Sequence, residues 1–258
     1  MKGKFKSTKK GGPSIVRILG SPVNSLTMEE TVRVLSSAWS GDRQRVAHVV
    51  TANAEMLYHS SKDQELAEII EAAEIVTADG AGVVLASRIL GRPVPERVAG
   101  YDLMVECLKK ASRTSVPVYF LGAEPHILNK AVTNARVLFP GLNIVGSHHG
   151  YFRDGEDESI IAEISSLKPC LLLAAMGVPR QEKWIHLNKK KLPPCVAMGV
   201  GGSFDVLAGK AQRAPLWMQR AGLEWFYRVI KEPYRLGRTA VLPAFLLAVL
   251  SQAARRKS

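Results

Sequence analysis

Short apolar runs alternate with polar or glycine-rich turns and amphipathic stretches from residue 14 to about residue 208. The apolar runs have the length of buried strands, and the amphipathic stretches have the spacing of helices that cover a sheet. About seven such strand-to-helix units occur, and their strands lie in SIVRILG, RVAHVV, EIVTA, VPVYFLG, LNIVGSHHG, CLLLAAMG and CVAMGVG. The pattern predicts an α/β fold with a mostly parallel, Rossmann-like sheet flanked by helices.

Helix boundaries are signalled at several points between these runs. Thr27 and Glu30 have the spacing of a capping box at the start of a helix. Pro125 stands where proline is favoured, at the first position of a helix, and Gly91 stands where helices tend to stop. These signals support the alternation of strands and helices.

Polar side chains follow the predicted strands at their carboxyl ends, where ligands bind in open α/β sheets. We expect these residues to converge on one rim of the sheet: Thr51, Asn53, Asp79, Glu124, His148, His149, Gln181, Glu182 and Ser203. Asp79 is the only aspartate directly at the end of a predicted strand. A carboxylate there is costly to bury unless it faces a cleft and has a task.

Two glycines, Gly80 and Gly82, flank the residue after Asp79. Glycine lets a helix N-terminus or a ligand approach the backbone closely. The stretch therefore predicts that Asp79 points into a cleft.

The net charge of +12 is concentrated at the two ends of the chain. Residues 1–10 carry +5 and residues 209–258 carry +8, so the remaining 198 residues carry −1. A neutral body argues against a nucleic-acid protein with a basic face spread over the fold. Basic ends suit an anionic partner, such as a phosphate ligand or a membrane surface.

Composition divides the chain into three expected regions: a disordered basic tail (1–13), an α/β catalytic domain (14–208) and a basic, aromatic helical appendage (209–258). The tail has no apolar segment behind it and does not have the pattern of a secretion signal. The apolar run at 240–250 is too short to span a bilayer. The three cysteines are predicted to be buried thiols of a reducing cytosol: Cys107, Cys170 and Cys195.

Several common catalytic signatures are absent from the sequence. No dinucleotide fingerprint, phosphate-binding P-loop, zinc-protease motif or nucleophile elbow occurs. The glycine-rich segment GVGGSF at 199–204 is a weak indication of phosphate or sugar contact, and a tight packing turn explains it about as well. We expect neither a metal ion nor another cofactor.

Seven segments in order resemble the WecG/TagA/CpsF family, glycosyltransferase family 26. The resemblance covers roughly residues 15–245 and rests on TAN (51–53), ADG (78–80), PERVAGYD (95–102), FLGA (120–123), GVPRQE (177–182), GVGGSFD (199–205) and the stretch at 213–238. It implies transfer of a sugar, often N-acetylmannosamine or its uronic acid, from UDP to a polyprenyl-diphosphate-linked acceptor. It further implies inversion at the anomeric carbon without a metal ion, in the synthesis of teichoic-acid linkage units, common antigen, capsule or exopolysaccharide.

The resemblance assigns expected roles to residues of this chain. Asp79 matches the family's proposed base, which takes the proton of the attacking hydroxyl, and Arg97 matches its catalytic arginine. A guanidinium can fork onto the phosphate oxygens of departing UDP, the task a metal ion has elsewhere. Expected substrate contacts are Thr51, Asn53, Gln181, Gly199, Gly201 and Gly202. The alternatives are that Arg97 pairs with Glu96 on the surface and that Thr51 and Asn53 cap the following turn.

The appendage interleaves aromatic residues with arginines. In the family, the arginines that match Arg228, Arg235 and Arg238 bind the acceptor diphosphate at the membrane. Pro233 predicts a break within this segment. Aromatic and basic side chains favour a lipid interface, so we expect peripheral binding to the inner face of the cytoplasmic membrane. An ordinary helical hairpin is the alternative, and self-association that hides the apolar tail is also expected.

Two other function classes compete with the glycosyltransferase. A non-enzymatic nucleotide-binding or nucleic-acid-binding module is opposed by the neutral body and the strand-end aspartate. A dehydrogenase is opposed by the missing dinucleotide fingerprint. Glu182 and Lys183 open a predicted helix and are expected to be solvated rather than catalytic.

Overall fold

A computed structural model describes residues 14–40, 44–153, 155–231 and 240–255, with the backbone alone at residues 40 and 228. Its strands are β1 (Ile15–Ile18), β2 (Ser21–Asn24), β3 (Ala47–Ala52), β4 (Ile75–Ala78), β5 (Val118–Gly122), β6 (Ile144–His148), β7 (Leu171–Ala175) and β8 (Val196–Gly199). Its first helices are α1 (Met28–Ser40), α2 (Ala54–Ser60), α3 (Gln64–Glu71), α4 (Ala81–Ile89), α5 (Gly100–Arg113) and α6 (Pro125–Leu138). The remaining helices are α7 (Asp157–Leu167), α8 (Arg180–Asn188), α9 (Ser203–Leu207), α10 (Leu216–Arg220), α11 (Glu224–Lys231) and α12 (Val241–Arg255).

Within the described residues, β3 to β8 form a six-stranded sheet in the order β4-β3-β8-β7-β5-β6. The pairs of β8 with β3 and β7, and of β5 with β7 and β6, are parallel. The five strands other than β6 are buried along their length, as expected for a sheet with helices on both faces. The predicted parallel α/β fold is confirmed.

The first predicted strand does not join this sheet, which corrects the expected run of seven strand-to-helix units. β1 pairs with β2 in an antiparallel two-stranded sheet, with Ile18 opposite Ser21. Leu19 and Gly20 between them both have positive φ, of 49° and 91°. Two successive residues of this kind make the tight turn that favours a hairpin.

Contacts between residues divide the chain into two compact units. The first contains the described parts of residues 1–28, 51–99 and 214–258. The second contains the described parts of residues 29–50 and 100–213. The tail at 1–13 lies outside the described residues, and the proposed domain division stays a prediction.

In the first unit, α12 packs against α2 and α4 through the buried side chains of Phe245 and Val249. Near the C-terminus of α12, the Gln252 side chain binds the end of β1 and the turn after it. It accepts a hydrogen bond from the Leu19 amide and donates one to the Arg17 carbonyl. One face of the predicted apolar run at 240–250 is therefore covered by protein. Among the described residues, none of the helices combines the length and the apolar composition that spanning a bilayer requires.

The core of the second unit is formed by side chains from β5, β7, β8, α7 and α8. Tyr119, Leu172 and Trp184 belong to this cluster. The Tyr119 hydroxyl donates to Glu163 of α7 at 3.0 Å, which satisfies its polar end. All three cysteines are buried, as predicted.

Candidate active site

Asp79 lies where the sequence predicts it, directly after β4, and its side chain is half-buried. Its amide donates a 2.9 Å hydrogen bond to the carbonyl of Ala52, the last residue of β3. Gly80 follows with φ of 96° and is the N-cap of α4, so glycine is needed here for its backbone conformation. The chain thus turns sharply at the carboxylate, between the end of a strand and the start of a helix.

Gly82 has a different reason for being glycine. A Cβ atom at this position would lie 3.1 Å from the Ala54 Cβ and 3.9 Å from a ring carbon of Phe245. Gly82 therefore lets α4 pack closely against α2 and α12. The expected close approach is made by a neighbouring helix.

Thr51 lies near the end of β3, and Asn53 stands directly before α2. The Asn53 Oδ1 accepts a 2.8 Å hydrogen bond from the Met56 amide, so Asn53 is the N-cap of α2. The alternative that Asn53 caps the following turn is confirmed, and its contact with substrate stays a prediction. Thr51 is buried at the carboxyl end of β3, and its predicted contact also stays untested.

Arg97 is held close to the end of β4. The amide of the next residue, Val98, donates to the carbonyl of Ala78 at 2.9 Å, one residue before Asp79. The Arg97 Nη1 lies 2.8 Å from the Glu224 Oε2, in an ion pair with little exposure of either side chain. Glu96, the partner considered from the sequence, instead accepts a hydrogen bond from the Met28 amide.

In the second unit, Gln181 connects the loops that follow β7 and β8. Its Oε1 accepts hydrogen bonds from the Gly177 amide at 3.2 Å and from the Gly201 amide at 3.0 Å. Its Nε2 donates to the Glu182 Oε1 at 2.8 Å. The side chain is buried, so it acts as a link between two loops, and its predicted contact with substrate stays a prediction.

Glu182 is fully buried, which corrects the expectation that it is solvated at the start of a helix. The reason is the orientation of α8, which packs Trp184 and Ile185 into the core of the second unit. The Glu182 Oε2 has no hydrogen-bond partner among the described residues. Burial raises the pKa of Glu182 to about 7, against weaker lowering by the hydrogen bond from Gln181.

Gly199 packs against the side chains of Gln181 and Glu182. A Cβ atom at Gly199 would be 2.5 Å from both the Gln181 Nε2 and the Glu182 Oε1. Gly201 has a positive φ of 51°, and Gly202 is the N-cap of α9. The geometry gives Gly199 and Gly201 structural reasons for being glycine, while the predicted nucleotide contacts of Gly199, Gly201 and Gly202 stay predictions.

The strand-end residues fall into two groups, one in each unit. Thr51, Asn53 and Asp79 belong to the first unit, and the others belong to the second: Glu124, His148, His149, Gln181, Glu182 and Ser203. The expected convergence on one rim stays a prediction.

After β6, a pocket of about 380 Å³ is lined by His148, His149, Tyr151, Arg153, Glu156 and Ser159. Among the described residues, no three His, Cys, Asp or Glu side chains are grouped to hold a metal ion.

The predicted diphosphate-binding arginines are described only in part. Only the backbone of Arg228, which lies in α11, is described. Arg235 and Arg238 lie outside the described residues. Large apolar side chains of α10 and α11 are exposed: Leu216, Trp217, Trp225, Phe226 and Ile230. Binding of these side chains to a membrane or to a second copy of the chain stays a prediction.

Comparison with known proteins gives a consistent result. The family model described as "Glycosyl transferase WecG/TagA/CpsF family" matches residues 16–258. A Staphylococcus aureus (strain MW2) protein is 35% identical over 234 residues, which cover 91% of each chain. A Bacillus spizizenii protein is 35% identical over 209 residues, covering 81% of this chain and 80% of the relative. Both relatives are named N-acetylglucosaminyldiphosphoundecaprenol N-acetyl-beta-D-mannosaminyltransferase.

The ordered motifs, the parallel sheet and the match over most of the chain agree. The resemblance seen in the sequence is confirmed, and the protein is an enzyme of the glycosyltransferase class. The chain belongs to the WecG/TagA/CpsF glycosyl transferase family.

Proposed function

We propose that the chain transfers N-acetylmannosamine, or its uronic acid, from UDP to a sugar carried on a polyprenyl diphosphate. The names of its relatives, which specify an N-acetylmannosaminyl group and a diphosphoundecaprenol acceptor, support this choice. The observation that carries the mechanism is the position of Asp79, between the end of β4 and the start of α4. The product would enter cell-surface polysaccharide synthesis.

In the proposed reaction, a hydroxyl oxygen of the acceptor sugar attacks the anomeric carbon of the donor. The bond from that carbon to the UDP diphosphate oxygen breaks, and the acceptor proton passes to the Asp79 carboxylate. Attack on the face opposite the leaving group inverts the anomeric centre. The charge that develops on UDP is stabilised by Arg97, so no metal ion is required.

The other predicted contacts divide between donor and acceptor. We assign sugar and nucleotide contacts to Thr51, Asn53, Gln181, Gly199, Gly201 and Gly202. We assign the acceptor diphosphate to Arg228, Arg235 and Arg238, whose guanidinium groups suit bidentate binding of phosphate. The separate structural tasks of Asn53 and Gln181 would keep their remaining polar atoms in fixed positions.

The appendage would bring the enzyme to its acceptor at the inner face of the cytoplasmic membrane. Exposed aromatic side chains at Trp217, Trp225 and Phe226 support this, because such rings favour the lipid interface. The same surface would promote self-association away from a membrane, giving a homo-oligomer.

The test is release of UDP from UDP-N-acetylmannosamine in the presence of an N-acetylglucosamine-diphosphate-lipid analogue. We expect turnover that depends on the acceptor, gives an inverted linkage by NMR, and continues with an excess of chelator. Turnover with a different UDP-sugar alone would change the donor and preserve the mechanism. Loss of turnover on chelation would contradict metal independence, and inactivity with every donor would contradict the proposed reaction.

A further inference from the structure

The appendage contacts the elements that carry the proposed catalytic groups, all within the first unit. Helix α12 packs against α2, which begins after Asn53, and against α4, which begins after Asp79 and Gly80. The turn before α11 also contacts α4, because a Cβ atom at Gly222 would lie 2.8 Å from the Ala81 Cβ. Ala81 is the first residue of α4. The appendage thus supports the backbone next to the carboxylate.

The most direct of these contacts joins two charged side chains. Glu224, the first residue of α11, places its Oε2 2.8 Å from the Arg97 Nη1. The Glu224 side chain is 12% exposed and the Arg97 side chain is 23% exposed. An ion pair that is largely shielded from water is screened less than a surface pair and holds its partners more firmly.

The contact restricts a long side chain whose free rotation would be costly for catalysis. A guanidinium carries five N–H donors in a fixed plane. A carboxylate that accepts from one nitrogen restrains that end of the plane and therefore narrows the directions in which the other donors can point. The Val98 amide, bound to the Ala78 carbonyl at 2.9 Å, fixes the backbone of the same segment.

We propose that Glu224 is a positioning residue that orients Arg97 toward the departing diphosphate. The proposal rests on the proposed function, in which Arg97 stabilises the charge on UDP. Glu224 does not contact the reacting atoms, and it acts through the arginine. The appendage therefore has a second task besides binding lipid and acceptor, because its helix α11 sets the geometry of a catalytic group.

The test measures steady-state transfer in full-length Glu224→Ala, Glu224→Gln, Arg97→Ala and the double variant Arg97→Ala/Glu224→Ala. We expect Glu224→Ala to lower kcat by about tenfold or more with a small change in donor KM, the size expected for one lost hydrogen bond to a charged group. Glu224→Gln keeps an oxygen acceptor and loses the charge, so its kcat should lie between those of Glu224→Ala and the wild type. The double variant should be no slower than Arg97→Ala alone, because Glu224 acts through Arg97.

Glu71→Ala is the matched control. It removes another 2.8 Å ion pair of the same unit, between Arg17 and Glu71, in which both side chains are about half exposed. We expect kcat and KM of this variant to equal those of the wild type. Thermal unfolding of every variant separates a change in positioning from a loss of folded protein. If Glu224→Ala does not fold, Glu224→Asp, which withdraws the carboxylate by one methylene, should show the loss in kcat instead.

Three results would overturn the proposal. Full activity of Glu224→Ala would show that Arg97 needs no support. A lower donor KM with unchanged kcat in Glu224→Ala would show that Glu224 competes with the diphosphate for Arg97. A further loss in the double variant beyond that of Arg97→Ala would show that Glu224 acts independently. Full activity of Arg97→Ala is a separate outcome, since it would contradict the role of Arg97 in the proposed function.

Discussion

Gln181 donates a 2.8 Å hydrogen bond from its Nε2 to the Oε1 of its neighbour Glu182, and both side chains are buried. Through its Oε1, Gln181 also accepts from the amides of Gly177 and Gly201. The pair therefore fixes the loops that follow β7 and β8. Because Glu182 is the buried member that can ionise, the strength of this arrangement should depend on pH.

Glu182→Gln should be stabilised relative to the wild type as pH rises from about 4.5 to about 7. Burial raises the pKa of Glu182 from 4.5 to about 7. In this interval the folded protein keeps a proton that the unfolded chain releases, so the free energy of unfolding of the wild type falls as pH rises. Glutamine cannot ionise, and the stability difference should grow by an amount on the order of 3 kcal/mol. Urea unfolding at a series of pH values measures it.

Glu71→Gln is a control of opposite sign for this experiment. The hydrogen bond from Arg17 lowers the pKa of Glu71, so its ionised form stabilises the fold. Stability relative to the wild type should therefore fall as pH rises through the acid range. A stability difference for Glu182→Gln that does not change between pH 4.5 and 7.5 would contradict the effect of burial on Glu182.

Gly199→Ala should disrupt the link between the two loops. The added methyl group would lie 2.5 Å from both the Gln181 Nε2 and the Glu182 Oε1, closer than such atoms can approach. We expect a loss of about 1–3 kcal/mol in unfolding free energy, together with weaker donor binding. Gly91→Ala is the comparison, because its Cβ meets nothing within 4 Å and its cost is limited to a positive φ of 70°. Equal donor affinity in the two variants would argue against a role for the Gly199 region in binding.

Asn53 has one task that the structure shows and one that is proposed, and substitutions can separate them. Asn53→Ser keeps an N-cap for α2 and removes the amide, so folding should be retained while transfer falls about tenfold. The control is Asp63→Ala, which removes the N-cap of α3, where the Asp63 Oδ1 accepts from the Leu66 amide at 3.1 Å. That variant should lose about 1 kcal/mol of stability and keep its kcat. Wild-type activity of Asn53→Ser would limit Asn53 to capping.

The exposed aromatic residues of α11 should govern binding to lipid. Trp225→Ala/Phe226→Ala removes two rings that are 45% exposed each. Cosedimentation with vesicles that contain anionic lipid should weaken by about tenfold or more, because each ring loses its burial at the interface. Leu187→Ala removes an exposed apolar side chain from α8 in the other unit and should bind vesicles like the wild type. Unchanged sedimentation of the double variant would contradict membrane docking by α11.

The sequence predicts the strands of the large sheet because most of them are short apolar runs bounded by turn residues. The pattern predicts β1 in the same sheet, and this is wrong, because Leu19 and Gly20, both with positive φ, turn the chain back into β2. Leu-Gly is a weak signal for such a turn, and Pro22 in the following strand argues against a strand there. The pattern of apolar and polar residues therefore favours a strand-to-helix unit here over the β1–β2 hairpin that forms.

The position of Asp79 was predictable because it depends on one strand and the residue that follows it. The contacts of Arg97 were not, since its partner Glu224 is 127 residues away and no periodicity connects them. Glu182 lies among polar residues in the first turn of α8, and the sequence does not show that this side chain faces the protein interior. Contacts between distant segments thus decide the roles that sequence patterns leave open.

Acceptor-dependent UDP release by Asp79→Asn, beside the wild type, tests most directly whether Asp79 is the base. Asparagine keeps the size of the side chain and cannot take the proton of the acceptor hydroxyl, so kcat should fall by about 10²–10⁴-fold. The donor KM and the thermal unfolding midpoint should remain close to those of the wild type. Transfer at the wild-type rate by folded Asp79→Asn would show that another group is the base.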